Sequence, residues 1–472
     1  MRLRFTVGFG LAALAAALII NAACGGSNSA AAATPATTNV TMSDPATCAG
    51  PTGPYAHVYV TVKDVEASTS ASATSGFTDL TPALATKPMQ IDLLGQANNQ
   101  CLLATLGSTT ELQPGNYQQI RLILQDNSSP SLVANNQCGT VANCVVLVSD
   151  QSVHTLNLAS EAQTGIKIPA GQIAGGQFTV AAGQTKDLNL DFNTCSSIVV
   201  EGNGQYRLKP VLHAGEIAAT ATSINGTVID HTTNQPITGG NVMVALEQKD
   251  SNGVDRVMMA TDADTSGHFV FCPVPAGTYD VVAIGISGSN VAYAATVTTG
   301  VTPGTAMGNV PLVAESGVGG TAQGTIAGQV TSSSGTAGTV ADVTLSALQA
   351  VSVGGSNLSL TIPLVQQHAA TANVATASGT TCAVNTDCAN YSLAVPALAP
   401  STGTFAASGT SYTVGTAAAA YSVEAQAAVP SSGGTADCTP AVLTTPTGAS
   451  ASLTVTAGAT VQAAVLSFTG CQ

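Results

Sequence analysis

The residues that could bind or react are few and widely spaced. One local constellation is DADTSGHF, Asp262 to Phe269. Asp262, Asp264, Ser266 and Gly267 match the opening of a calcium loop, in which oxygen ligands recur at alternate positions around a hard cation. The twelfth position of such a loop needs a bidentate acid, and Pro273 stands there. A strand pattern follows instead of a helix. The other reading is a turn whose Asp side chains accept backbone N–H bonds, with Gly267 in a backbone angle other residues dislike. The turn is preferred, Asp262, Asp264 and Ser266 are kept as a weak cation candidate, and no metal or other cofactor is expected.

Eleven cysteines are the next reactive set. Cys24 stands alone at the end of an apolar run, which leaves ten, an even number. In an oxidising compartment pairing is the default. Cys138 and Cys144 are close in sequence, as are Cys382 and Cys388, and Cys438 and Cys471 remain in the last region. These are the candidate disulfides. The pairing of Cys48, Cys101, Cys195 and Cys272 stays open. Zinc would need CxxC-type spacing or nearby histidines, and the six histidines are scattered singly.

Catalytic signatures are missing. G-x-S-x-G does not occur, since GISGS at Gly285 lacks its last glycine. H-E-x-x-H is absent, and GNGQYR at Gly202 fails as a dinucleotide fingerprint at its third glycine. Asp44, Asp64, Asp92 and Asp191 could supply an acid/base pair, but nothing in the spacing selects two of them.

The N-terminus says where these groups would be carried. Arg2 and Arg4 precede an apolar stretch from Phe5 to Ile20, too short for a bilayer span of about 20 residues. Ala22 and Ala23 precede Cys24. This resembles a bacterial lipobox, with Asn21 where Leu is usual, and it implies a signal peptide over 1–23 and a lipid such as palmitate on Cys24. A signal peptide cut elsewhere is the alternative. Gly25 rather than Asp follows the cysteine, which resembles lipoproteins bound for the outer membrane. Residues 24–38 read as a flexible tether of Gly, Ser, Ala and Thr.

The formal charge is −14, or −16 once Arg2 and Arg4 are removed, which disfavours nucleic-acid binding. Only 8% of residues are charged and 45% are hydrophobic, with 48 Gly and no Trp. Val and Ala alternate with Thr and Ser. The expected fold is all-β, with tandem antiparallel β-sandwich domains behind the signal peptide and tether.

Three modules follow. In the first, residues 39–217, the segments VTMSDPA (Val40), VYVTVKDVEA (Val58), IDLLG (Ile91), LQPGNYQQIRLIL (Leu112), TGIKI (Thr164), LNLDF (Leu188) and YRLKPVL (Tyr206) occur in order. Together they resemble the DUF4382 family of bacterial envelope lipoproteins, which implies an address and a fold class but no chemistry.

The second module, 221–315, carries Gly226, Val228, Pro236, Gly267, Phe269, Phe271, Pro275, Gly277, Thr278 and Tyr279 in a pattern similar to carboxypeptidase-regulatory-like domains. That resemblance implies a small, non-catalytic transthyretin-type sandwich.

The third module, 320–472, echoes the second. Gly328 lies 102 residues after Gly226, YSLAVPALAP echoes HFVFCPVPAG, and AYSVEAQA echoes TYDVVAIG. It reads as a possible second copy with insertions. It contains no Lys or Arg, either because a partner covers it or through low-complexity drift. Val-x-x-Gly recurs near the end of each module, at Val180, Val301 and Val455, and reads as a hairpin into a closing strand. Such repetition suggests beads on a string.

The expected function is binding or structural, without enzymatic activity, on a protein held at the outer membrane by Cys24. The ligand would be a carbohydrate, a peptide or another envelope protein. The alternatives are a hydrolase with an unrecognised site in the first module, or an accessory part of a secretion or uptake assembly.

Overall fold

The computed structural model describes residues 33–44, 54–73, 75–96, 103–159, 161–201, 204–217, 223–315, 322–431, 434–447 and 452–472. These are almost wholly β. The one α-helix among them is a single turn, Leu93–Gln96. No described helix is long and apolar enough to cross a membrane.

Alternating Val, Ile and Thr make the second module a two-layered sandwich. Its strands are β9 (Ile224–Asp230), β10 (Asn241–Lys249), β11 (Val254–Asp262), β12 (His268–Phe271), β13 (Tyr279–Ile286), β14 (Ala292–Val301) and β15 (Thr305–Leu312). β9 lies between β12, antiparallel, and β15, parallel. β10 lies between β11 and β13, and β14 pairs with β13.

The first module repeats this arrangement. β1 (Ala36–Ser43) pairs with β4 (Ala104–Leu112) antiparallel and β7 (Thr185–Phe192) parallel. β2 (Tyr55–Ser68) lies between β3 (Met89–Asp92) and β5 (Gln119–Leu124), and β6 (Ile166–Pro169) pairs with β5. The module is extended by the short strands Cys144–Leu147, Val153–Asn157, Tyr206–Leu208 and Ile198–Val200 on the β2 sheet, and by β8 (Leu212–Glu216), which pairs with β7.

The third module repeats it again. β16 (Gly324–Ser332) pairs with β19 (Asp387–Val395) and, in parallel, with β23 (Thr460–Gln462). β17 (Asp342–Val353) lies between β18 (Ser356–Thr361) and β21 (Ala420–Ser431), and β22 (Gly434–Thr445) pairs with β21. Its insertion adds β20 (Ser401–Thr404).

Three local devices recur with the frame. Gly226 lies opposite Phe269, and Gly328 lies opposite Tyr391. A Cβ would come within 2.8 Å of the Phe269 ring and 2.4 Å of the Tyr391 hydroxyl, so only glycine lets the ring lie across the strand. A tyrosine hydroxyl closes each corner. Tyr117 donates to the Gln113 carbonyl at 2.7 Å, Tyr279 to Pro275 at 2.9 Å and Tyr421 to Pro396 at 2.8 Å.

The Val-x-x-Gly turns are the third device. Gly183, Gly304 and Gly458 have φ of 67, 86 and 68°. Each donates its N–H to a carbonyl just ahead of the module's first strand: Thr34, Ser223 and Gln323. They differ from the expected hairpins. The chain before the turn belongs to one sheet and the chain after it to the other, so each is an arch between layers. For the same reason the sheets are not purely antiparallel: the seventh strand returns alongside the first in the same direction.

Modules two and three are not separate beads. β11 pairs in parallel with β18 and β14 with β20, which gives one sheet in the order β20-β14-β13-β10-β11-β18-β17-β21-β22. β20 comes from the chain between Pro396 and Tyr421. That insertion covers the edge of module two, which would otherwise offer unpaired N–H and C=O groups. One apolar core runs under the junction and joins Met243, Val282 and Ile284 to Val343, Leu360 and Tyr421.

Candidate functional site

The DADTSGHF segment is a capped turn between β11 and β12. The Asp264 carboxylate accepts the N–H groups of Ser266 at 2.8 Å and His268 at 2.9 Å. Gly267 has φ of 79°, and a Cβ there would lie 2.3 Å from the Val228 carbonyl oxygen. Asp262 is turned away, its carboxylate 3.6 Å from His368 Nδ1 of module three. The three candidate ligands therefore do not converge. Among the described residues no three His, Cys, Asp or Glu side chains are grouped to hold a metal ion.

A Ser/His/Asp contact set forms where no sequence motif marked it. Ser152 Oγ lies 2.6 Å from Asp150 and 2.7 Å from His154 Nε2, in the turn between the Cys144–Leu147 and Val153–Asn157 strands. The order is wrong for a nucleophile: the hydroxyl sits between acid and imidazole, whereas activation needs the imidazole in the middle. Asp150 also accepts the Ser152 N–H at 3.0 Å. These donors hold its carboxyl below the usual range. The set braces a turn.

Of the four acids considered for acid/base work, Asp44 lies within electrostatic reach of Asp191 and Asp92, whereas Asp64 faces Asp79 and Glu66. Asp92 pairs with His57 at 2.7 Å. Asp64 shares a hydrogen bond with Asp79, and burial followed by that neighbour pushes it up to about 7. Asp44 accepts from Thr194 and Asp191 from Ser43. Burial pushes Asp191 up to about 7 and Asp44 well above its usual range.

Asp191 also borders a cavity of about 10 Å³ between modules one and two, room for about one water molecule. Asn189, His213 and Gly215 line one side, with Met258, Pro275 and Tyr279 opposite. Burial pushes His213 down to about 4 although it donates to the Met258 carbonyl.

Charged pairs also join the modules. Arg207 of module one grips Asp342 of module three with both terminal nitrogens and reaches Glu201 at 2.7 Å. The Asp342 side chain is only 5% exposed. Beside it, Lys209 donates to Thr344 and Asn373 donates to the Ser196 carbonyl. Arg256 of module two joins its own Asp250 to Glu424 of module three, at 2.9 and 2.5 Å. Module three has no Lys or Arg, yet two of its acids are paired by its neighbours.

Residues 35–210 match the family described as Domain of unknown function (DUF4382). The match ends within module one, after β7 and before β8, and it contains Arg207, Asp191 and the Asp150–His154 turn. No curated protein matches the chain. Solved structures are similar at low score, among them the following three. The Bacillus anthracis TIE protein is 9% identical with a TM-score of 0.16; the match covers 92% of this chain and spans half of that one. The shaft pilin SpaA of Lactobacillus rhamnosus GG is 10% identical with a TM-score of 0.17, covering 60% of this chain and 99% of that one. A DUF3823 family protein from Bacteroides uniformis is 12% identical with a TM-score of 0.16, covering 49% and 94%.

Disulfides join Cys138 to Cys144 in module one, and Cys382 to Cys388 and Cys438 to Cys471 in module three. The last ties β22 to the C-terminus and closes the longest of the three loops, with a separation of 33 residues. Cys272 is also disulfide-bonded. Cys24, Cys48 and Cys101 lie outside the described residues, as does the side chain of Cys195.

Proposed function

We propose that this chain is a non-enzymatic, lipid-anchored protein of the bacterial outer membrane whose role is structural: a rigid body held off the membrane by Cys24 and its tether. The observation that carries the rigid-body reading is the continuous sheet through modules two and three, clamped to module one by the Arg207–Asp342 pair. The groups capable of chemistry serve as turn caps, struts and bolts between modules. The second module is taken as carboxypeptidase-regulatory-like and the third as its diverged copy, supported by the shared frame, glycine–aromatic pair and tyrosine corner. A carbohydrate, a peptide or a neighbouring envelope protein remains the class of partner such a body would present itself to.

The address is tested in cells fed an alkynyl fatty acid. The wild-type chain is expected to take the label and to sediment with membranes after a salt wash. Cys24→Ala is expected to lose both, because stable anchoring comes from acyl chains at about 0.8 kcal/mol per buried CH₂. Membrane retention of the unlabelled variant would reject the anchor.

A further inference from the structure

Two glutamates of module two reach into module three in the same way. Glu247, on β10, accepts the N–H of Thr361 at 3.2 Å through Oε2. Glu315, just past β15, accepts the N–H groups of Ala397 at 2.6 Å and Leu398 at 3.1 Å through Oε1. Both side chains are wholly buried. In each the second oxygen, Glu247 Oε1 and Glu315 Oε2, has no partner among the described residues. A buried carboxylate with one oxygen unpaired is costly, whereas a carboxylic acid there carries no charge.

We propose that these two glutamates form a proton-operated joint between the second and third modules, tight while both are protonated and loosened as they ionise. Their surroundings fit. Around Glu247 stand Asp255 and Arg256 from β11 and Asp280 from β13. Arg256 is already engaged by Asp250 and Glu424, and Lys249 faces Asp255 and Asp280. Around Glu315 the titratable neighbour is the Tyr421 hydroxyl from β21, itself committed to the Pro396 carbonyl. Neither glutamate has a cation to itself.

Burial, and then the charge of Asp255, holds the Glu247 carboxyl well above its usual range. Burial pushes Glu315 up to about 7 against the two N–H donors that pull it down. The sign follows. A carboxyl raised in the folded state favours the closed joint fully below its unfolded pKa, and that contribution is lost as pH rises through the folded value. The window runs from 4.5 to about 7 for Glu315, and Glu247 is displaced in the same direction. Each ionising group weakens the joint by at most about tenfold per pH unit.

The test is hydrogen exchange on the full chain between pH 5 and 8, corrected for intrinsic exchange rates. Protection at Thr361, Ala397 and Leu398 is expected to fall by tenfold or more across that range. Glu315→Gln and Glu247→Gln mimic the protonated acids, and each should flatten the dependence at its own contacts. Flat protection in the wild type, or an unchanged dependence in both Gln variants, overturns the proposal. If a Gln variant fails to fold, infrared spectroscopy of the wild type decides. A carbonyl band of buried protonated carboxyl should be present at pH 5 and shrink toward pH 8, and its absence at pH 5 overturns the joint.

Discussion

Modules two and three have the same strand pairings, the same glycine under an aromatic ring and the same tyrosine corner, yet they differ in self-sufficiency. Module two carries Lys249 and Arg256 and closes its corner within four residues, from Pro275 to Tyr279. Module three has no Lys or Arg, and its Tyr421 lies 25 residues after Pro396. The frame is thus set by a handful of local residues, whereas a module's independence is set by where its charges and edges are satisfied. Module three sends its inserted strand to its neighbour and draws guanidinium groups from both other modules.

The largest break in that comparison should come from Arg207. Replacing it with Ala leaves Asp342 buried and unpaired, a loss of about 3–5 kcal/mol. The equivalent change in a self-contained module has no such cost. Thermal melting should show this, and Arg207→Met combined with Asp342→Leu should recover most of the loss. A single Ala variant that melts like wild type would mean that module three does not depend on the pair.

A smaller effect sharpens the comparison at the corners. Tyr421→Phe leaves the Pro396 carbonyl without its donor in a fully buried site, at about 1–3 kcal/mol. Tyr279→Phe removes a partly buried bond, at about 0.5–1.5 kcal/mol. Equal losses in a chemical denaturation series would say that the insertion does not load the corner of module three more heavily.

Much of the frame is legible in the sequence because it is local. Alternation gives the strands. The spacing of Gly226 and Gly328 marks equivalent positions because each lies under a ring. Val-x-x-Gly marks three left-handed glycines. What local pattern cannot show is which sheet the chain enters after the turn, so the arches read as hairpins. The parallel joins β11 to β18 and β14 to β20 were hidden for the same reason: they are backbone pairings between distant segments.

The site residues divide likewise. Asp264 and Gly267 are readable as a turn from their spacing. Arg207–Asp342 and Arg256–Glu424 span 135 and 168 residues. Their one visible trace is compositional, a module with acids and no Lys or Arg, which calls for cations from elsewhere. Glu247 and Glu315 left no trace, since neither falls in a motif and the N–H groups they accept come from segments far along the chain.

The claim that modules two and three form one body is tested most directly by native-state hydrogen exchange at pH 5 on the mature full-length chain. Peptides covering the junction strands, Val254–Asp262 and Ser356–Thr361, are compared with those covering the core strands Asn241–Lys249 and Asp342–Val353. The shared sheet predicts that junction and core open with the same free energy, as one cooperative unit. Junction amides that exchange as fast as free sheet edges, while both cores stay protected, would show two separate modules and contradict the account.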